Sequence, residues 1–317
     1  MNIENFKNKK ILVTGANGFV GSNLIIELNK QGFTNLLTPT SKELNLINQN
    51  DVEKYFEENK PEVVLHIAGL VGGIAANKAR PGEFFYNNAM VGINITHFAY
   101  KYGAEKVVSL AAGCGYPKEI PVPFSEDDFW NGLPDMNSYG YSLAKKNLII
   151  QSWAYREQYG FNTTVLLPAN LYGPYDNFHL ENSHVIPALI RKFIAAKESN
   201  SPTVEVWGTG VATREFLYVG DTVKAIIDAM ACTETGPFNL GTGVETSIKE
   251  LNETIAKLVG YEGEIVWDTT RPDGQPKRFY DMTKFKETFG YVPNTTLEDG
   301  LKETIDWYSN NKETARL

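Results

Sequence analysis

The sequence predicts an α/β protein: a Rossmann-type, doubly wound parallel sheet with a smaller C-terminal α/β lobe. Three observations carry this reading. A glycine pattern lies between an apolar run and a helix-period segment early in the chain. Apolar runs then alternate with helix-period segments to about residue 170, as strands and crossover helices do. Beyond residue 170 the rhythm loosens into aromatic and proline-rich loops. The expected division is 1–170, with later segments returning to it, and 171–317.

In KKILVTGANGFVGSNLIIELNKQG, Ile11, Leu12 and Val13 form the apolar run of a buried strand, and Val20, Leu24, Ile25 and Leu28 recur at helical spacing. Gly15, Gly18 and Gly21 lie between and within them. The first glycine permits a tight turn, the second lets backbone N–H groups approach a pyrophosphate, and the third allows close helix–strand packing. Strand, glycine turn and helix together point to dinucleotide binding, where a bare glycine pattern is weak evidence. Strands follow at 36–39, 62–68, 106–112 and 161–168, and helices at 51–59, 83–102 and 139–159. LEDGLKETIDWYSNN reads as an amphipathic closing helix.

In an open sheet the ligand sits beyond the carboxyl ends of the strands. That rule assigns cofactor contacts to Gly15, Asn17, Gly18, Phe19, Val20 and Gly21 of the first turn, and to Ala68, Pro168 and Asn170 at later strand ends. The second strand ends in TPTSKE, with Ser41 and Lys42 and no acidic residue at its tip. A carboxylate there would hold the free ribose hydroxyl of NAD, so NADP(H) is expected, with NAD the alternative.

Bulk properties narrow the classes. The 317 residues carry a formal charge of −8, which opposes nucleic acid as a general partner. No apolar run approaches the ~20 residues of a membrane helix, and no stretch of signal-peptide type precedes the first strand. The two cysteines, Cys114 and Cys232, make no disulfide framework. A cytoplasmic protein is expected.

Tyr141 and Lys145 in SYGYSLAKKN are four apart and share one helix face. A lysine one turn from a tyrosine favours phenolate, so the phenol can exchange a proton with a carbonyl oxygen while hydride moves at carbon. Alone, Y-x-x-x-K occurs often by chance. Behind a glycine loop it reads as catalytic.

With these two motifs the chain resembles the extended short-chain dehydrogenases/reductases. Within them it is similar to the GDP-L-fucose synthase family, which epimerises two carbons beside a ketone and then reduces it. The resemblance rests on VGGIAANKARPGEFFYNN, PANLYGPYDNFHLENSHVIPALIRKF, VWGTGVATREFLYVGD, NLGTG and RPDGQPKR, and it runs over nearly the whole chain. It implies that Cys114, in LAAGCGYP, is the epimerisation base and His184, in NSHVIP, the acid, with Tyr141 and Lys145 serving reduction and Lys145 also holding the nicotinamide ribose. A thiol and an imidazole are suited to those tasks. His179 is a competitor for His184, whereas His66 and His97 read as structural.

The resemblance further implies a GDP-linked keto sugar held by Asn170, His184, Trp207, Arg214 and either Lys277 or Arg278, and a homodimer. An arginine matches phosphate oxygens and an indole offers a flat apolar face. The chain also departs from the family. The catalytic serine falls on Ala112, followed by Gly113, and neither has a side-chain donor. Asn17 and Ser41 stand where basic residues occur in the family. Two other enzymatic readings follow: an epimerase holding NAD with no net reduction, and a reductase of a GDP-keto-heptose. A non-catalytic, cofactor-sensing protein is disfavoured by the four retained groups.

Overall fold

The computed structural model describes residues 2–180, 183–271 and 273–317. The first half runs β1 (Ile11–Thr14), α1 (Phe19–Lys30), β2 (Leu36–Leu37), α2 (Gln49–Asn59), β3 (Val63–His66), α3 (Ile74–Ala79), α4 (Pro81–Lys101), β4 (Lys106–Leu110), α5 (Tyr139–Tyr159) and β5 (Thr163–Pro168). The second half runs β6 (Asn170–Tyr172), α6 (Val185–Glu198), β7 (Thr203–Trp207), β8 (Thr213–Arg214), β9 (Phe216–Tyr218), α7 (Val219–Ala229) and β10 (Phe238–Leu240). It closes with β11 (Thr246–Ser247), α8 (Ile248–Val259), β12 (Glu264–Asp268), α9 (Thr283–Phe289) and α10 (Leu297–Asn310).

Six strands pair in parallel in the order β10-β5-β4-β3-β1-β2, so the fold is the expected doubly wound sheet. Side-chain alternation sends Val13, Leu65 and Val108 to one face, onto Leu24 and Leu28 of α1, Val223 and Ile226 of α7 and Phe285 of α9. Leu12, Val64 and Val107 go to the other, onto Val52 and Phe56 of α2 and Ile95 and Phe98 of α4. Each such side chain contributes about 1.5–3 kcal/mol relative to exposure. A separate cluster joins Ile190 and Phe193 of α6, Val204 and Val206 of β7, Leu251 and Ile255 of α8, and Leu301 of α10.

Strand ends differ from the sequence expectation where the chain turns to build the site. β2 stops at Leu37. It is an edge strand, and Pro39 just beyond has no N–H for a ladder. β4 stops at Leu110 because residues 113–115 wind into a 3-10 turn. The connection order reverses between β1 and β3, which opens a crevice at their carboxyl ends.

Candidate active site

The crevice is lined first by the glycine turn. Gly15 has φ +75°, and a Cβ there would lie 2.9 Å from the Ala68 backbone, so Gly15 and Ala68 touch across β1 and β3. A Cβ on Gly21 would lie 2.0 Å from the Gly15 carbonyl oxygen. Only glycine lets α1 approach β1 so closely. Gly18 caps α1 without a side-chain hydrogen bond, leaving the first N–H groups of the helix, at Phe19 and Val20, directed outward. This is a cradle for pyrophosphate, and the residues present fit a dinucleotide.

At the end of β2 the structure adds a group that reading the tip alone had passed over. The Glu43 carboxylate folds back to accept from the Thr40 N–H at 2.8 Å and the Thr40 hydroxyl at 2.9 Å. The tip therefore carries a carboxylate beside Ser41 and Lys42, one occupied in capping its own turn.

β4 and α5 supply the chemistry. Lys145 is buried, and its Nζ donates to the Leu110 carbonyl at 3.1 Å. Burial brings its pKa down to about 8. Its ammonium stands 5.9 Å from the centroid of the Tyr141 ring. Burial pushes the Tyr141 phenol above its ordinary range, and negative charge on Cys114 pushes the same way. Burial here outweighs any lowering of the phenol by Lys145, whose ammonium donates to the strand end.

Cys114 lies in the turn Gly113–Gly115, which packs against the start of α5. Burial pushes its thiol up, while a hydrogen bond with Ser142 and the charges of Arg278 and Lys145 pull it back. Tyr141, Lys145 and Cys114 are thus brought together. Ser109 is inside β4, paired with His66 and Val165, and does not replace the absent serine. Hydroxyls come instead from other elements. Ser142 arrives from α5, and its Oγ also lies 3.3 Å from Ser138 Oγ. Tyr280 arrives from the segment before α9. A Cβ on Gly113 would fall 1.6 Å from the Tyr280 hydroxyl oxygen, so Tyr280 occupies the side-chain space of residue 113.

His184 stands on a different element, as the N-cap of α6. The residue is exposed, yet burial by surrounding protein lowers the pKa of its imidazole. Among the described residues no hydrogen bond joins it to Cys114 or Tyr141. His66, in β3, bonds Thr14 Oγ1 through Nδ1 at 2.8 Å, and His97 meets the Tyr155 hydroxyl at 2.8 Å.

The opposite wall carries the cations. Arg214 Nη1 donates to the carbonyls of Thr213 at 2.7 Å and Gln275 at 2.6 Å. Arg278 donates to the Gly113 carbonyl and lies over the Phe124 ring. Burial lowers the Arg214 pKa, and the charge of Arg278 adds to that, so the two guanidiniums are close neighbours. Lys277 instead faces Glu245 at 3.6 Å and is exposed. Of the two candidates, Arg278 is the one beside Cys114. Trp207 ends β7 exposed, with Arg271 over its ring. Asn170 Nδ2 donates to the Glu215 carbonyl at 2.8 Å, bridging β6 to the preceding end of β9. The Pro168 carbonyl accepts from the Tyr280 hydroxyl at 3.3 Å.

Two buried groups escaped sequence reading. The Glu215 carboxylate accepts from the N–H groups of Thr242, Gly243 and Tyr280 at 2.5, 2.6 and 2.9 Å. Asn239 accepts from the Tyr116 hydroxyl at 2.6 Å and donates to the Phe124 carbonyl at 2.8 Å. Glu215, just before the apolar strand of REFLYV, and Asn239, inside the strand of NLGTG, were the available signals.

A doubly wound sheet that opens on a glycine cradle, with a tyrosine–lysine helix at its carboxyl edge, defines a short-chain-type dinucleotide enzyme. The chain belongs to the NAD dependent epimerase/dehydratase family, whose model matches residues 11–241. It is 42% identical to GDP-L-fucose synthase 1 of Arabidopsis thaliana, over 96% of this chain and 94% of that protein. A GDP-L-fucose synthetase of Naegleria fowleri bound to NADP superposes with a TM-score of 0.90 at 30% identity, covering 98% of this chain and 96% of that one. A GDP-6-OMe-4-keto-L-xylo-heptose reductase from C. jejuni superposes at 0.88 with 33% identity, covering 96% and 98%.

Proposed function

We propose that the protein reduces C4 of a GDP-linked 4-keto-6-deoxy sugar with NADPH and epimerises C3 and C5 beforehand. One observation carries this reading: Tyr141, Lys145 and Cys114 converge at the end of β4, between the glycine cradle and the guanidiniums of Arg214 and Arg278. The bound dinucleotide supplies hydride. Lys145 would also hold its ribose, and Gly15, Asn17, Gly18, Phe19, Val20, Gly21, Ser41, Lys42, Ala68, Pro168 and Asn170 would line its site.

The residues divide the proton chemistry by their environments. Burial keeps the Tyr141 phenol protonated but makes it a weaker acid, so its proton transfer to the C4 oxygen depends on stabilising the phenolate. Lys145, as a cation, stabilises the phenolate left behind. Cys114 removes the proton alpha to the ketone as thiolate, a form favoured by Ser142, Arg278 and Lys145 against burial. His184 returns a proton to the other face; its lowered pKa makes the imidazolium a stronger acid and also a less populated one. Arg214 and Arg278 face the diphosphate, and Trp207 the sugar or base, within the mainly nucleotide-sugar-binding portion 171–317.

The similarity to a heptose reductase, together with Ala112, favours a second reading: reduction alone, on a GDP-keto-heptose. The relatives give no support to an epimerase without net reduction. We also propose a homodimer through α4 and α5, where Tyr86, Ile93, Ile150 and Trp153 are exposed. Its mass in solution would be twice that of the chain. We place the protein in the cytoplasm; among the described residues no helix is long and apolar enough to cross a membrane.

The deciding experiment incubates the protein with GDP-4-keto-6-deoxymannose and NADPH in heavy water. The expected result is NADPH consumption with deuterium at C3 and C5, and loss of deuterium incorporation in Cys114→Ser. NADPH consumption without exchange would leave reduction alone. No consumption would overturn the substrate assignment.

A further inference from the structure

The glycine turn has a neighbour from the far end of the sequence. Residues 311–316 follow α10 and are pinned by backbone to the loop after β6: the Phe178 N–H donates to the Arg316 carbonyl at 2.8 Å, and Arg316 forms a bridge with Asn177. Ala315 is buried in the lobe core and fixes the segment further. The Arg316 side chain then reaches across to the glycine turn, where Nη2 donates to the Asn17 carbonyl. Both Asn17 and Arg316 are exposed, so their polar groups face solvent rather than core.

Several features make this arginine more than a tether. Its guanidinium has five donors and spends one on Asn17. It forms no salt bridge among the described residues. Its charge acts on Asp176, whose burial pushes its pKa up to about 7, so that this carboxylate offers less than a full counter-charge near neutrality. A planar cation with no ion-pair partner among the described residues is therefore held at the rim of a turn whose glycines and helix N-terminus are built for phosphate. Asn17 itself brings no charge to that rim.

We propose that Arg316 is a phosphate ligand of the bound dinucleotide, supplying from residues 311–317 the cation that the glycine turn lacks. This deepens the dinucleotide reading given above and rests on it. The chemistry recognised is a phosphate group, either the pyrophosphate or the ribose 2′-phosphate.

The test is equilibrium binding, read by calorimetry without turnover, of NADP+, NAD+ and adenosine to the wild type, Arg316→Gln and Arg316→Lys. The expected result is a loss of about 10-fold in NADP+ affinity in Arg316→Gln, with part retained in Arg316→Lys and no change for adenosine. If NAD+ weakens equally, the contact is to the pyrophosphate; if NAD+ is unaffected, it is to the 2′-phosphate. Unchanged NADP+ and NAD+ affinities in Arg316→Gln would overturn the proposal. So would equal losses for adenosine, which would make Arg316 a structural tie between loops. Failure of the wild type to bind either dinucleotide would instead refute the underlying cofactor reading, and this proposal with it.

Discussion

The two walls of the site are built by opposite strategies. The wall of β1, α1 and α5 comes from short stretches of chain: a glycine turn within seven residues, and Tyr141 and Lys145 one helical turn apart. The wall of Arg214, Arg278 and Tyr280 is assembled by contacts across more than sixty residues of sequence, to Gln275, Gly113, Pro168 and Glu215. A local wall tolerates change in its surroundings. An interlocked wall makes each of its members depend on the others, and the difference can be measured.

The sharpest contrast comes from the local wall. Tyr141→Phe removes only the proton donor, so kcat for ketone reduction is expected to fall about 10²–10⁴-fold. Dinucleotide affinity by equilibrium titration should stay unchanged, and a parallel loss of affinity would break the claim that this wall acts in separable parts. In the interlocked wall the test is non-additivity. Gly113→Ala drives a Cβ into the Tyr280 hydroxyl and is expected to cost about 1–3 kcal/mol in denaturant unfolding. Tyr280→Phe removes that oxygen, so the double substitution should be less damaging than the sum of the two. Simple additivity would mean that Tyr280 moves aside freely.

A smaller effect probes where the walls meet. The folded Cys114 thiol sits above its ordinary pKa, and Ser142 opposes that shift. Ser142→Ala removes the opposition, so less thiolate forms at a given pH. The pH profile of Cys114 alkylation by iodoacetamide should move to higher pH, with hydride transfer from NADPH far less affected. A profile that stayed in place would show that Ser142 only packs against α5.

The same contrast decides how much was legible in advance. The glycine turn, the Tyr141–Lys145 pair, α5 at Tyr139–Tyr159 and the closing helix were readable because each is set by residues within one or two turns. Strand ends were read less well, since β2 and β4 stop where Pro39 and the Gly113–Gly115 turn redirect the chain. Glu43 escaped because its carboxylate folds back onto a residue before it. Tyr280, Ser142 and Arg316 carry no local signature at all. Their meaning arises only when a distant segment arrives beside them, and a resemblance to a family names matching positions without naming such newcomers.

Glu215 has a consequence for how the molecule opens. Its buried carboxylate holds three amides from two separate returns of the chain, while Asn170 grips its carbonyl from β6. Exposing one of those amides removes a donor from a buried carboxylate that the other two must then satisfy, so the cost couples them. The amides of Thr242, Gly243 and Tyr280 are therefore expected to open together with the sheet edge at β10, which native-state hydrogen exchange would read as equal protection.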